Sequence, residues 1–98
     1  MADEHLFIVT YDIADARRWR AVFKLMNGYG EWLQLSVFQC RLNAQRQAEL
    51  RGRLETLLNR DEDHAIIIDV GPAATVSLRV HSIGRRGFDP IGREPVIV

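Results

Sequence analysis

The hydrophobic pattern begins with a short apolar and β-branched run over residues 5–11, His5-Leu6-Phe7-Ile8-Val9-Thr10-Tyr11. It is too short for a helix and predicts a buried strand. The run stops at Asp12, and Asp15 is placed to cap a helix that follows. In that helix Trp19, Val22, Phe23 and Met26 recur at helical spacing and form one apolar stripe, while Arg17, Arg20 and Lys24 line another face. Gly28 and Gly30, on either side of Tyr29, end it.

Residues 32–42 form a second extended region with apolar side chains on both faces. One long strand and two short strands kinked near residues 34–36 fit this pattern equally. Asn43 caps a second helix that runs to about Asn59, with Leu50, Leu54, Leu57 and Leu58 facing inward. Its outer face offers the pairs Glu49 with Arg53 and Arg51 with Glu55, and Gly52 weakens its interior by about 1 kcal/mol relative to alanine. An acidic loop, Asp61-Glu62-Asp63, reads as a solvated turn before a strand over residues 65–70. Gly71-Pro72 turns the chain, and the alternation over residues 75–83 predicts a further strand. Residues 84–98 are loop-like until the apolar end Pro95-Val96-Ile97-Val98.

Strands interleaved with two helices, with a hairpin between them, predict an α+β ferredoxin-like (βαββαβ) sandwich with an extra C-terminal strand. The domain is expected over residues 1–83, and residues 84–98 form a tail that docks on a partner. Two helices cover one face of such a sheet. The other face must be wetted or buried by a second chain, and Phe38 with the outward members of the Ile66–Ile68 run favours burial.

Composition adjusts this picture only slightly. With 98 residues there is room for one core, and 47% apolar residues suffice to fill it. So small a domain buries a modest share of its surface, which favours self-association. Cys40 is the single cysteine, so neither an internal disulfide nor a zinc cluster is expected. No apolar stretch approaches membrane-spanning length, and the opening Met1-Ala2-Asp3-Glu4 lacks a basic signal region, so a cytoplasmic location with no membrane partner is expected.

Charge matters more by its placement than by its sum. The formal net charge is zero. Residues 1–15 carry Asp3, Glu4, Asp12 and Asp15 with no basic residue, whereas residues 16–60 are strongly basic. Of 13 basic residues, 12 are arginine, the side chain whose planar fork pairs phosphate in bidentate fashion.

Asp12 is the sharpest candidate for chemistry, since the end of a rigid strand holds its carboxylate near the surface. A plain strand-end turn, with Asp15 as helix cap, accounts for the same spacing. Arg17, Arg18 and Arg20 are candidate phosphate contacts or a solvated helix face. His5, His64 and His81 show no metal-ligand spacing, and Ser36 has no histidine nearby in sequence to activate it. Gly84-Arg85-Arg86-Gly87 offers two arginines but matches no specific phosphate loop.

The stretch Val9-Thr10-Tyr11-Asp12-Ile13-Ala14-Asp15, followed by Arg17 and Arg18, resembles the opening signature of the CRISPR-associated protein 2 family. A second block, Tyr29-Gly30-Glu31-Trp32-Leu33-Gln34-Leu35-Ser36-Val37-Phe38-Gln39-Cys40, resembles that family's Gly–Gln–x–Ser-Val-Phe motif, and Ser82-Ile83-Gly84 fits its C-terminal region. The resemblance implies a homodimer in which Asp12 of each protomer faces its twin and acts as catalytic magnesium ligand, with Tyr11, Ser36 and Phe38 in support. It also implies an endonuclease acting on RNA or double-stranded DNA during CRISPR adaptation, or a scaffold for the CRISPR integrase (CRISPR-associated protein 1) that cradles DNA on Arg17, Arg18 and Arg20. The tail would then dock on the dimer partner or the integrase. Magnesium suits a pair of aspartates, since it takes one or two carboxylates and fills the rest of its shell with water and phosphate oxygens. Where family members often carry a basic residue shortly before the motif's glutamine, this chain has Trp32-Leu33. A toxin-type ribonuclease of the same fold and a ligand-binding regulatory domain are the remaining readings.

Overall fold

The structure, a computed structural model, describes residues 3–84. Its elements in chain order are β1 (Glu4–Asp12), α1 (Ala16–Asn27), β2 (Glu31–Gln34), β3 (Val37–Asn43), α2 (Ala44–Leu57) and β4 (His64–Pro72). The strands form one sheet in the order β2-β3-β1-β4, with every neighbouring pair antiparallel. This is the ferredoxin-like α+β arrangement that the element order predicts. Among the described residues no helix is long and apolar enough to cross a membrane.

Both helices start where the sequence places their caps. The Asp15 carboxylate accepts the Arg18 backbone N–H at 2.9 Å, and the Asn43 side chain accepts that of Arg46 at 2.8 Å. Each bond satisfies one amide that the first helical turn leaves unpaired, an interaction typically worth about 1 kcal/mol. At the far end of α1 the Gly28 N–H returns to the carbonyls of Leu25 and Met26.

The core lies between the sheet and the helices. Phe7, Val9 and Tyr11 of β1 and Phe38, Cys40 and Leu42 of β3 meet Val22 and Met26 of α1 and Leu50 and Leu54 of α2. Aromatic rings fill one end, where Phe23 stacks on Trp19 (centroids 5.1 Å apart) and meets Phe38 edge-on at 5.6 Å. Burial pushes the Cys40 thiol up to about 12, which leaves it a small apolar core group without reactivity at neutral pH.

The ambiguous region over residues 32–42 is two strands. Leu35 takes the left-handed conformation, φ 42°, at the turn between them. Two indoles hold this turn: Trp32 Nε1 donates to the Leu35 carbonyl at 3.0 Å and Trp19 Nε1 to Ser36 Oγ at 2.8 Å. The Ser36 carbonyl in turn accepts the Tyr11 N–H at 3.2 Å. The resulting register pairs Phe38 with Val9 and Val37 with Thr10. Phe38 therefore points to the helices and is 0% exposed, so it belongs to the protomer's own core and not to the open face. Ile66 and Ile68 do lie on the open face, 46% and 48% exposed.

Three further expectations need correction. Residues 75–83 form no strand within this chain. After Pro72 the backbone turns, with Thr75 N–H and Val76 N–H donating to the Pro72 carbonyl, and it crosses the open face instead of following a sheet edge. Ser77 and Leu78 border a cavity of about 540 Å³ with Leu6, Gln39 and Arg41. Arg51 and Glu55 form no ion pair; Glu49 is the carboxylate that collects partners on α2. It accepts from Tyr29 Oη at 2.8 Å and from Arg46 Nη1 at 3.1 Å, and Arg53 stands 4.0 Å away. The acidic loop is also more than a solvated turn, as the candidate site shows. Residues 85–98, with most of the expected docking tail and of the arginine loop, lie outside the described residues.

Gly30 ends the link from α1 to β2 at a point of close approach. A Cβ there would be driven into the Gln39 carbonyl oxygen and Cys40 Sγ, both held in β3. Gly30→Ala is expected to cost about 1–3 kcal/mol through overpacking, read as a lower urea midpoint at unchanged slope. A cost under about 0.5 kcal/mol would mean that β2 shifts freely against β3, contrary to this packing.

Candidate active site at the end of the first strand

Alternation along β1 puts Tyr11 and Asp12 on opposite faces. Tyr11 turns inward against Trp19 and Phe38. Its hydroxyl is buried beside Ser36, and desolvation raises its pKa by more than that neighbour lowers it, so it is a neutral phenol throughout the physiological range. Asp12 is exposed at the end of the open face and stands opposite His64 of β4 in the register. Among the described residues its carboxylate engages no hydrogen bond or ion pair.

Ser36 and Phe38 support this end of the sheet by packing and do not reach the open face. The Ser36 hydroxyl accepts from an indole and its carbonyl holds β1, so it has a structural task and no nucleophile's setting.

The three candidate arginines separate. Arg17 and Arg20 are exposed and make no ion pair among the described residues, and Lys24 continues their stripe along α1. Arg18 folds back onto the segment before β4. Its Nε donates to Asp63 Oδ2 at 2.8 Å, and its Nη2 donates to Asp63 Oδ1 at 3.3 Å and to Glu62 Oε1 at 2.9 Å. The Asp63 side chain is 0% exposed and also accepts the backbone N–H groups of Ala14 and Asn59, each at 2.9 Å.

The Arg18 guanidinium, helped by those two amides, holds the Asp63 carboxyl well below its ordinary value, at about 2. A carboxyl with a depressed folded-state pKa contributes stability that is complete above its unfolded value near 4 and is lost as pH falls toward 2. The urea midpoint is therefore expected to drop between pH 5 and pH 3 by a larger amount in the wild type than in Asp63→Asn. Equal drops would assign the acid sensitivity to other carboxylates.

Sequence reasoning missed Asp63. Its partners Ala14 and Arg18 stand 49 and 45 residues away, and three consecutive acids beside a turn carry no signal of such pairing. The position of His64 opposite Asp12 was equally hidden, since it depends on the β1–β4 register.

No group of three or more His, Cys, Asp or Glu among the described residues is arranged to hold a metal ion. Asp12 nevertheless suits magnesium, because both its oxygens are unengaged and face solvent from a rigid strand. One protomer supplies one carboxylate, so further ligands must come from a second chain, water or a substrate phosphate.

Comparison with known proteins finds relatives over nearly the whole chain. The family model described as CRISPR associated protein Cas2 matches residues 5–75. The chain is 54% identical to a Geobacter sulfurreducens protein named CRISPR-associated endoribonuclease Cas2, over 97% of this chain and 99% of the relative. It is 50% identical to CRISPR-associated endoribonuclease Cas2 1 of Rhodospirillum rubrum, over 97% of this chain and 92% of the relative. The solved structure of Streptococcus pyogenes Cas2 at pH 6.5 superposes with a TM-score of 0.71 at 27% identity, covering 81% of this chain and 99% of that one. The fold and the similarity over nearly the whole chain converge, and the chain belongs to the CRISPR-associated protein Cas2 family.

Proposed function

We propose that this protein is a magnesium-dependent endonuclease of CRISPR adaptation, acting as a homodimer on RNA or double-stranded DNA and also bridging subunits of the CRISPR integrase. The observation that carries this reading is the free Asp12 carboxylate, held at the end of β1 on the face of the sheet opposite the helices. The names of the relatives, CRISPR-associated endoribonuclease, support the nuclease class. Exposed Ile66 and Ile68 on that face support the dimer, because a second copy laid against it buries both and brings the two Asp12 residues to one interface.

The Asp12 carboxylates of two protomers would hold magnesium, which would supply an activated water and charge neutralisation at a scissile phosphodiester. Asp12 would hold the ion at a fixed place on the sheet. Arg17, Arg20 and Lys24 attract and orient the phosphate backbone along α1. Tyr11, Trp19 and Ser36 keep the strand end and the β2–β3 turn rigid beneath Asp12.

Cleavage of labelled single-stranded RNA and double-stranded DNA, in magnesium and in EDTA, tests the reading. Cutting that requires magnesium, by a species of dimer mass in light scattering, is expected. A stable monomer at micromolar concentration would overturn the shared site.

The scaffold reading draws on a different observation. The free basic stripe on α1 serves DNA binding without any metal, and Trp32-Leu33 places no cation where family members often have one. DNA binding and co-purification with the integrase, without cleavage of either substrate, would establish it.

A further inference from the structure

We infer that Arg18 and Asp63 are positioning residues for Asp12, locking the turn that leaves β1 onto the segment that enters β4. The inference rests on the reading that Asp12 holds the metal. Ala14, two residues beyond Asp12, donates its N–H to Asp63 Oδ1 at 2.9 Å. His64, the residue after Asp63, is the register partner of Asp12. Asp12, Ile13 and Ala14 are thus closed into a small ring with Asp63 and His64, by the sheet on one side and the Asp63 side chain on the other.

The ring is held from α1 and from the end of α2 as well. Asp63 Oδ1 receives Ala14 N–H and Arg18 Nη2, while Oδ2 receives Arg18 Nε and Asn59 N–H. Each oxygen carries two donors, so the carboxylate has no lone pair left for a metal or a water. A side chain 0% exposed and bonded in this way has one placement, and it passes that placement to the Asp12 backbone. Arg18 spends its Nε and Nη2 on Asp63 and Glu62, so it cannot also fork onto a phosphate as Arg17 and Arg20 can. Arginines from one helix therefore have two tasks: Arg18 sets the geometry of the metal ligand, and its neighbours meet nucleic acid.

Manganese, used alone as a paramagnetic stand-in for magnesium, reads this directly through its free-ion resonance signal in solutions of the full-length protein. Arg18→Gln is expected to weaken manganese affinity on the order of 10-fold, the usual effect of losing a group that orients a metal ligand. Its affinity for labelled RNA in EDTA, and the salt dependence of that affinity, are expected to stay unchanged. Unchanged manganese affinity, with weaker RNA binding and a salt slope reduced by about one, would overturn the proposal and make Arg18 a phosphate contact. Asp63→Asn is expected to weaken manganese at least as much. Should that variant not fold, Arg18→Gln decides alone, since it leaves both backbone bonds to Asp63 in place. Asp12→Ala separates the two layers of inference. If it abolishes manganese binding while Arg18→Gln leaves it intact, positioning fails and the metal site stands. If Asp12→Ala itself binds manganese as the wild type does, the metal reading fails and the positioning role falls with it.

Discussion

Asp12→Ala is expected to lower magnesium-dependent cleavage by on the order of 100-fold or more while the protein remains folded and dimeric. The separation of effects follows from where the carboxylate sits. Asp12 is exposed and bonded to nothing among the described residues, so no buried donor is orphaned by its removal. Surface substitutions of this kind change stability by less than about 0.5 kcal/mol, or about 2–4 °C in the melting midpoint of a domain this size. In EDTA a dimer joined at this face would be no weaker in Asp12→Ala than in the wild type, because the two facing carboxylates of the wild type would repel with no cation between them. Asp12→Asn keeps the shape and removes the charge, so cleavage as low as in Asp12→Ala would assign the loss to charge. Wild-type cleavage by Asp12→Ala would reduce Asp12 to a turn residue and leave the scaffold function as the better account.

Phe38→Ala is expected to cost about 3–5 kcal/mol of protomer stability. Phe38 is 0% exposed, stacks near Tyr11 at 6.4 Å between centroids, meets Phe23 at 5.6 Å and pairs with Val9 across the sheet. Truncation removes its transfer free energy and leaves a cavity that the two neighbouring rings are too stiff to fill. Total stability for a domain of this size is only about 5–15 kcal/mol, so the variant should unfold well below the wild type in urea or on heating. Protomer concentration must be held constant, because any self-association adds to the apparent midpoint. The same measurement separates core from interface. A folded Phe38→Ala monomer, with an unfolding midpoint near that of wild type, would place Phe38 in the dimer contact, against the β3 register.

The interactions that survive from sequence to structure are short-range ones. The caps at Asp15 and Asn43 each join a side chain to a backbone amide three residues on, so they are written in adjacent residues. The stripe of Trp19, Val22, Phe23 and Met26 follows from helical spacing alone, and so does the buried run of β1. From these the element order, and with it the ferredoxin-like fold, was legible. The strand-end aspartate was legible too, because it depends only on where an apolar run stops.

Tertiary structure decided whatever depends on parity, pairing or a long reach along the chain. One residue, Leu35 at φ 42°, breaks the extended run between β2 and β3, and the register that follows sends Phe38 inward. Periodicity could not choose this, since both faces of that run are apolar and a shift of one residue exchanges them. Alternation over residues 75–83 has the form of a strand, but a strand exists only beside an edge that accepts its hydrogen bonds. This chain turns away from β4 before offering itself to one. Asp63 shows the same limit in charge. Its sequence neighbours are acids at a turn, while its partners come from the start of α1, 45 residues earlier, and only folding brings them within 3 Å. The sequence by itself determined the elements, their order and the exposed carboxylate, because those rest on local geometry. The tertiary structure alone decided which arginines of α1 stay out of ion pairs and which one is held by carboxylates, because that choice is made by Asp63, a carboxylate distant in the chain.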